Sequence, residues 1–250
     1  STFKNRGKIL MDKIIDFLNS DFFYSFKKTP VAILSFIVSF GLILSAILAP
    51  IIAPYNPFDP STLNLMDGFS KPLEPNSFSG NKFLLGADDQ GRDVFSTILY
   101  GMRISLFVGF SAVLFAMILG VTLGLLAAMT GGRVDAIIMR IADIQLSFPS
   151  ILIAMLIFGI AKGITPIEMR NQMAIWVLIL SIGLSDWVQF ARVVRGAAMV
   201  EKSKEYVEAA HLIGRNSFSI AIRHILPNIS ASILVIATIS LALAIISEAT

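Results

Sequence analysis

Residues 104–129 have the sequence ISLFVGFSAVLFAMILGVTLGLLAAM and contain no charged side chain. The hydrocarbon core of a bilayer is about 30 Å thick and requires roughly 20 mostly apolar residues per helix, so this segment can cross it. Largely apolar stretches also occupy residues 31–49, 136–161 and 229–247, and a shorter one covers 173–187. The sequence therefore predicts an all-α, polytopic protein with five membrane-spanning helices.

The composition of the whole chain supports this prediction. Of its 250 residues, 55% are hydrophobic and 15% are charged, and the mean hydropathy is +0.77. Soluble domains have about 45–50% apolar and about 25% charged residues, so a soluble domain is excluded. Intrinsic disorder requires the opposite composition and is excluded as well.

The residue types and motifs of the chain also exclude most catalytic chemistry. It contains no cysteine and only two histidines, which argues against disulfides and metal sites. The phosphate-binding pattern G-x-x-x-x-G-K-[ST] and the hydrolase patterns H-E-x-x-H and G-x-S-x-G are absent from the sequence. We therefore expect a non-enzymatic chain with no catalytic residue, no resident metal or cofactor and no nucleic-acid partner.

The distribution of lysine and arginine predicts the orientation in the membrane. Residues 1–30 and 189–228 carry six each, whereas 50–103 carries four and 162–172 carries two. Because basic residues concentrate on the cytoplasmic side, the N-terminus and the 189–228 loop should be cytoplasmic and 50–103 extracytoplasmic. Within the N-terminal segment, residues 8–26 suit either an amphipathic helix on the membrane surface or a simple helix with snorkelling lysines.

Small residues recur every four positions along the second span, at Ala112, Ala116, Gly120, Gly124 and Ala128. They lie on one helical face, and small side chains allow two membrane helices to approach closely. The stripe can pack inside this chain or against a partner chain, and we expect the first.

The 189–228 loop is too long for a simple connector. Lys202–Ile213 lacks proline and glycine and predicts a helix, which Gly214 would end in the left-handed conformation. Asn216 or Ser217 can cap a second helix, which we expect to end before Pro227. The pattern predicts a helix–glycine–helix unit on the cytoplasmic face. Ala209 and Ala210 would form a surface of small side chains that could enter a groove of another protein, and the alternative is a loop that packs on its own helix bundle.

Four charged residues lie within or beside the predicted spans. Arg140 and Asp143 are three residues apart and can pair on one helix face, whereas Asp186 and Glu248 lie near span ends. Intramembrane charges are candidates for function, but we favour structural pairing or solvation over substrate contact for all four.

Acidic residues precede the second span in the sequence LGADDQGRD, residues 85–93. Asp88 can cap a helix, and Asp89 and Asp93 suit its positive N-terminal end. The apolar stretch 94–100 would form the first turns on the outer surface. The spacing of these carboxylates does not fit a calcium-binding loop.

The helix–glycine–helix unit resembles the EAA motif of ABC-importer permeases, in which EAA is followed by x3, G, x9, I-x-L-P. Glu208-Ala209-Ala210, Gly214 and Leu226-Pro227 keep this spacing, and His224 replaces the usual isoleucine. The resemblance implies that residues 202–226 form a coupling helix docked on a separate ATPase. It assigns coupling roles to the following residues: Glu205, Glu208, Ala209, Ala210, Gly214, Leu226 and Pro227.

Residues 85–106 are similar to the segment before the second span of dipeptide and oligopeptide importer permeases, with Ala87 in place of the usual threonine. Phe148-Pro149-Ser150 matches the same group. The resemblance adds a second group of candidate site residues from this extracytoplasmic family segment: Gly86, Asp88, Asp89, Gly91, Arg92 and Asp93. Permeases of this group continue into a sixth span, which we expect beyond residue 250.

The resemblance implies a type I ABC-importer permease fold in the bacterial inner membrane, with residues 104–250 as its core domain and 31–49 as span 1. It implies import of peptides by alternating access, with ATP and Mg²⁺ held by two ATP-binding subunits. A sister permease and an extracytoplasmic substrate-binding protein, which would meet residues 50–103, complete the expected partners. Nickel or glutathione are alternative substrates, and a secondary transporter driven by an ion gradient is the alternative class.

Overall fold

The computed structural model describes residues 21–59, 63–75 and 79–249. Within these ranges it contains helices and no β-strand beyond two isolated bridges, which confirms the all-α prediction. Most of the predicted surface helix at residues 8–26 lies outside the described residues. The α-helices are α1 Asp21–Lys28, α2 Pro30–Ile47, α3 Ala49–Ile52, α4 Val94–Thr130, α5 Gly132–Leu146, α6 Ser150–Ile164, α7 Arg170–Lys202, α8 Glu205–Leu212, α9 Ser217–Ile220 and α10 Leu226–Glu248.

The chain divides into two compact units, residues 1–103 and 104–250. In the first unit, α2 is long and apolar enough to cross a membrane and leaves most of its side chains exposed, as a helix surrounded by lipid would. In the second unit, residues 173–202 of α7 and the continuous helix from Ser217 to Glu248 meet the same criteria. So does α4, which begins at Val94 in the first unit and continues into the second. These four helices agree with four of the five predicted spans.

The core of the second unit forms where α4 packs against α7. The five small residues of the α4 stripe are all buried. A side chain at Gly124 would lie 2.6 Å from the carbonyl oxygen of Ala191 and 3.0 Å from Cβ of Val194. Gly120 faces the backbone of Trp187 just as closely. The expectation that this stripe packs inside the chain is confirmed.

The predicted third span, residues 136–161, is not one straight helix. α5 and α6 meet at an angle of 93° across a short break. Pro149 lies in this break, and it has no backbone N–H and disfavours helical geometry at Phe148. The sequence did not predict this break, because Pro149 was treated only as part of a motif. Counted as one bent span, the two helices occupy the place of the predicted third span.

The helix that contains the fourth predicted span, α7, is much longer than predicted. It continues through Trp187, the expected end, to Lys202. The reason is an apolar face whose side chains are fully buried, at helical spacing: Val188, Ala191, Val194 and Ala198. The break that follows this helix therefore lies at Ser203, 14 residues after the predicted start of the loop at residue 189.

Two of the basic residues that suggested an early loop, Arg192 and Arg195, lie on another face of α7 and pair with acids on α5. Arg195 makes a bidentate pair with Asp135, at 2.5 and 2.6 Å. Arg192 pairs with Asp143, so the predicted pairing of Asp143 with Arg140 is not formed. The sequence prediction considered a pair three residues apart on one helix, but the observed pairs join residues that are 49 and 60 apart.

The second helix of the 189–228 unit does not end before Pro227, as was predicted. A π-helical turn over Ala221–Ile225 precedes it, in which the Leu226 N–H donates to the Ala221 carbonyl. Proline has no N–H to donate and its ring crowds the carbonyl one turn earlier. The wider turn relieves both problems, so the helix continues from Ser217 to Glu248.

Enlarging a glycine of the α4 stripe should destabilise the protein. In Gly124→Leu the new side chain must displace the α7 backbone, and overpacking typically costs about 1–3 kcal/mol. We expect a lower melting temperature of the purified protein in detergent. Gly41→Leu on α2 is the matched control, because nothing lies within 4 Å of its added Cβ. Equal melting temperatures for the two variants would contradict the close approach.

Breaking the pair between α5 and α7 should also lower stability. Asp135→Asn removes a charge-assisted bidentate contact whose side chains are 18% and 31% exposed, and we expect a loss of about 1–2 kcal/mol. A double-mutant cycle with Arg195→Gln measures the coupling by thermal unfolding. Glu74→Gln is the control, because the Lys71–Glu74 pair is 77% and 63% exposed and should contribute little. A zero coupling energy for Asp135 and Arg195 would refute the expectation.

Candidate functional site

The residues of the predicted coupling motif lie on and around α8, a helix of two turns. α8 begins after a break at Ser203–Lys204 and ends at Leu212, and Gly214 follows its C-cap with a φ of +84°. The Gly214 N–H donates to the His211 carbonyl at 2.9 Å and the Arg215 N–H to the Ala210 carbonyl at 3.1 Å. These two bonds are those of a Schellman C-cap, so the left-handed Gly214 is confirmed, although the helix is shorter than Lys202–Ile213.

The chain turns sharply after this cap and enters the last long helix. Asn216 caps that helix, because its Oδ1 accepts a hydrogen bond of 2.8 Å from the Ser219 N–H. Of the two predicted capping residues, the structure therefore selects Asn216. The short segment between the caps holds α8 as a separate arm between α7 and the final helix.

The outer surface of α8 mixes polar and apolar side chains. Glu205, Glu208 and Ala209 are exposed, whereas Ala210 is 8% exposed and packs in the core of the chain. The expectation that both alanines face outward was wrong for Ala210, since its side of the helix also carries the buried Val207. Beside α8, large apolar side chains project into solvent, with exposures as follows: Leu212 89%, Ile213 81% and Phe218 76%.

A cluster of polar side chains fixes the base of α8. The Tyr206 hydroxyl donates to Oε1 of Glu201 at 2.7 Å and accepts from Asn228 Nδ2 at 3.0 Å. Lys204 Nζ lies 2.7 Å from Oε2 of the same Glu201. This cluster, the Glu201–Lys204–Tyr206–Asn228 cluster, joins the end of α7, the start of α8 and the start of α10.

The ionisation of this cluster follows from its contacts. Burial, and then the hydrogen bond to Glu201, raise the pKa of the Tyr206 hydroxyl. The hydrogen bond to the Glu201 carboxylate raises the pKa of Lys204. Both groups therefore keep their protons across the physiological range, and the cluster stays intact there.

The α7 end is also tied to α4. Lys202 Nζ donates to the carbonyls of Ala128 and Met129, at 3.2 and 3.1 Å. These are orphan acceptors of the last turn of α4, where a cation is favourable. The arm formed by α8 is thus fixed to α4, α7 and α10 together.

The remaining coupling residues lie on α10. Leu226 is half-buried and packs against the core cluster, and Pro227 is exposed just after the π-helical turn. The sequence did not identify Glu201, Tyr206 or Asn228. The spacing of Glu201 and Lys204 is a helical pairing distance and could have been noticed, but Asn228 lies 22 residues from Tyr206 and carried no signal.

The second group of predicted residues forms a tight loop in the first unit. Asp88 Oδ1 accepts from the backbone N–H of Gln90 and of Arg92, each at 2.9 Å, and Oδ2 accepts from Arg92 Nε at 2.7 Å. Burial would raise the pKa of Asp88, but these hydrogen bonds and the Arg92 charge outweigh it, so the pKa lies below its usual value. Asp88 closes this loop and does not cap the helix.

The cap of α4 is Asp93. Its Oδ2 accepts from the Ser96 N–H at 3.0 Å and from the Ser96 hydroxyl at 2.5 Å, and the Ser96 oxygen accepts from the Tyr55 N–H. Asp89 is exposed. The assignment of the cap to Asp88 was therefore wrong.

Two glycines allow this loop to fold. Gly91 has φ +74° and its missing side chain faces the backbone of Asn64. Gly86 has φ +82° and faces the backbone of Ser70. No other residue adopts this backbone at such close approach without strain, which explains both glycines in the family segment.

Comparison with known proteins places these features in one family. The family model of the binding-protein-dependent transport system inner membrane component matches residues 120–250. The model of the N-terminal transmembrane domain of oligopeptide transport permease C matches residues 18–72. The first match includes α8 and Gly214, and the second includes α2.

Named relatives agree along most of the chain. An oligopeptide transport system permease of Bacillus subtilis is 34% identical over 90% of this chain and 67% of its own length. A dipeptide transport system permease of Haemophilus influenzae is 34% identical over 92% and 73%. A glutathione transport system permease of Pectobacterium atrosepticum is 36% identical over 96% and 74%. The chain therefore belongs to the inner-membrane components of binding-protein-dependent transport systems, the permease subunits of ABC importers, and is a transport subunit, not an enzyme.

Proposed function

We propose that this permease moves short peptides into the bacterial cell by alternating access, driven by ATP hydrolysis on separate subunits. The observation that carries the proposal is the exposed arm α8, which has apolar side chains beside it and is fixed at its base to three long helices. The three relatives described above, named as oligopeptide, dipeptide and glutathione transport permeases and 34–36% identical to this chain, support the substrate class.

The arm suits the transmission of force. A partner that seats Leu212, Ile213 and Ala209 in a groove would bury apolar surface, which is the main driving force of association. Movement of the arm would reach α7 and α10 through the Glu201–Lys204–Tyr206–Asn228 cluster, and α4 through Lys202. A closing pair of ATPases would in this way reorient the long helices around the substrate.

The orientation follows from charge and from the place of the arm. The N-terminus and α8 lie on the cytoplasmic side, where the basic residues concentrate and where ATP is present. The loop of Asp88, Arg92 and Asp93 belongs to residues 50–103, which carry fewer basic residues and would be extracytoplasmic. There it would present a rigid surface to an extracytoplasmic substrate-binding protein.

The complete importer contains two ATP-binding subunits, which carry ATP and Mg²⁺, and a sister permease that forms a heterodimer with this chain. Many apolar side chains of α2 and of the final helix are exposed. They would contact further helices or lipid. Glutathione is a second candidate substrate, favoured by the Pectobacterium atrosepticum relative, which matches 244 residues.

Uptake by the reconstituted importer tests the proposal. Proteoliposomes containing the permease pair and the ATPases, supplied with the binding protein, are given labelled dipeptide, tetrapeptide or glutathione. We expect accumulation of peptide that requires internal ATP and is insensitive to collapse of the proton gradient. Accumulation driven by a proton gradient without ATP would overturn the proposed mechanism. Transport of glutathione and of neither peptide would make glutathione the substrate in place of peptides.

Gly214→Val should uncouple ATP hydrolysis from uptake. The φ of +84° is strongly disfavoured for a β-branched residue, so the arm would change its direction. We expect several-fold more ATP hydrolysed per peptide imported. Gly214→Asn is the matched control, because asparagine tolerates this backbone and nothing lies within 4 Å of its Cβ. Wild-type coupling in the valine variant would contradict the role of Gly214.

Leu212→Asp should weaken binding of the ATPase. It places a charge in the proposed contact, where desolvation without a partner is unfavourable. We expect at least a tenfold loss of ATPase recovered with the affinity-purified permease. The control is Ile167→Asp, a 77% exposed residue on the 3₁₀ turn Ile167–Met169, far along the chain from the arm. Equal recovery with both variants would remove Leu212 from the interface.

A further inference from the structure

Two cavities lie side by side between α6 and α7, and Phe158 lines both of them. The smaller has a volume of about 120 Å³ and the larger about 320 Å³. On α7 the smaller is lined by Met173 and Val177 and the larger by Leu178 and Ile182. Because they share Phe158 and their α7 residues follow each other along the helix, the two adjoining cavities are taken together as one apolar cleft. We call it the α6–α7 cleft.

One end of the α6–α7 cleft is cationic. Lys162 and Arg170 line it there, beside Thr165. Lys162 Nζ lies 5.9 Å from the centre of the Phe158 ring, and Arg170 Nε donates to the Thr165 carbonyl at 3.2 Å. Within the described part of the chain, neither side chain has a carboxylate within ion-pairing distance. Two cations at an apolar cavity are complementary to an anion.

The larger cavity, at the other end of the cleft, carries an anionic side chain. Glu248 lines it among apolar side chains that include Ala154, Met155 and Ile182. The hydroxyl of Ser105 donates to Oε2 of Glu248 at 2.7 Å, which holds the carboxylate in place. Across the described ranges no lysine or arginine pairs with Glu248. A carboxylate positioned by one hydroxyl in an apolar cavity is complementary to an ammonium group.

We propose that the α6–α7 cleft binds a zwitterionic peptide during transport, with its α-ammonium group at Glu248 and its carboxylate at Lys162 and Arg170. The apolar wall around Phe158 contacts the side chains of the peptide without selecting among them. This inference rests on the proposed function and adds the residues that recognise the two termini of the substrate.

The length of the cleft limits the size of the peptide. Residues 170–182 of α7 line it, and 1.5 Å of rise per residue gives about 18 Å. An extended chain covers about 3.3–3.6 Å per residue, so the cleft accommodates up to about five residues. The larger cavity alone falls within the range of volumes common for small-ligand sites, about 300–1,000 Å³.

The test compares peptides with free and blocked termini in the reconstituted importer, with one and the same binding protein throughout. A pentapeptide, whose extended length matches that of the cleft, its N-acetylated form and its C-terminal amide are offered to the wild type, to Glu248→Gln and to the double variant Lys162→Met/Arg170→Met. We expect Glu248→Gln to lower uptake of the free pentapeptide at least tenfold and uptake of the N-acetylated form by less than twofold. The double variant should lower uptake of the free pentapeptide at least tenfold and uptake of its amide by less than twofold.

The matched control is Glu168→Gln, an exposed acid on the 3₁₀ turn that lines neither cavity, and its uptake ratios should equal those of the wild type. If Glu248→Gln lowers the uptake of all three peptides by one common factor, Glu248 has a structural role and the inference is overturned. If the wild type accumulates no peptide in any form, the proposed function itself fails and the inference falls with it.

A second measurement does not depend on the folding of any variant. A tripeptide with a central photoreactive benzophenone residue is cross-linked to the wild-type importer during turnover, and the attachment sites are mapped by mass spectrometry. We expect attachment to Met155 and Phe158. Attachment confined to residues outside the α6–α7 cleft would overturn the inference.

Discussion

The close approach of α4 to α7 is the contact on which the second unit depends. Gly120 and Gly124 let the two backbones meet, and lipid provides no hydrophobic driving force to hold membrane helices together otherwise. Once α7 lies against α4, its apolar face continues beyond Trp187 and places Arg195 opposite Asp135 and Lys202 at the end of α4. The arm α8 takes its position from that end.

The local features of the chain could be predicted from sequence, and the long-range ones could not. Spans 31–49, 104–129 and 229–247 follow from hydropathy, and the left-handed Gly214 follows from its place after a helical stretch. The extension of α7 to Lys202 was missed because its arginines suggested water, whereas their partners on α5 lie 49 and 60 residues away. The bend at Pro149 and the helix through Pro227 show opposite outcomes for proline, which depend on the width of the turn before it.

The candidate coupling residues likewise divide into those that a local pattern predicts and those whose place depends on long-range contacts. The EAA spacing located α8 and its cap, because these are properties of neighbouring residues. The burial of Ala210 and the contact of Tyr206 with Asn228 depend on where α10 lies, which no local pattern specifies. The same holds for Glu248, whose partner Ser105 is 143 residues earlier, and whose place in an apolar cavity appears only when α6, α7 and α10 are assembled.

The π-helical turn at Ala221–Ile225 sets the rotational phase of the last helix. Each residue of an α-helix turns the chain by about 100°, so the one residue that distinguishes a π turn from an α turn decides which face of α10 meets α7. Loss of one residue from this turn would rotate Glu248 away from Ser105 while leaving hydropathy, length and composition almost unchanged. Alignments of related permeases that slide a gap through this turn would therefore assign the wrong side chains to the interior.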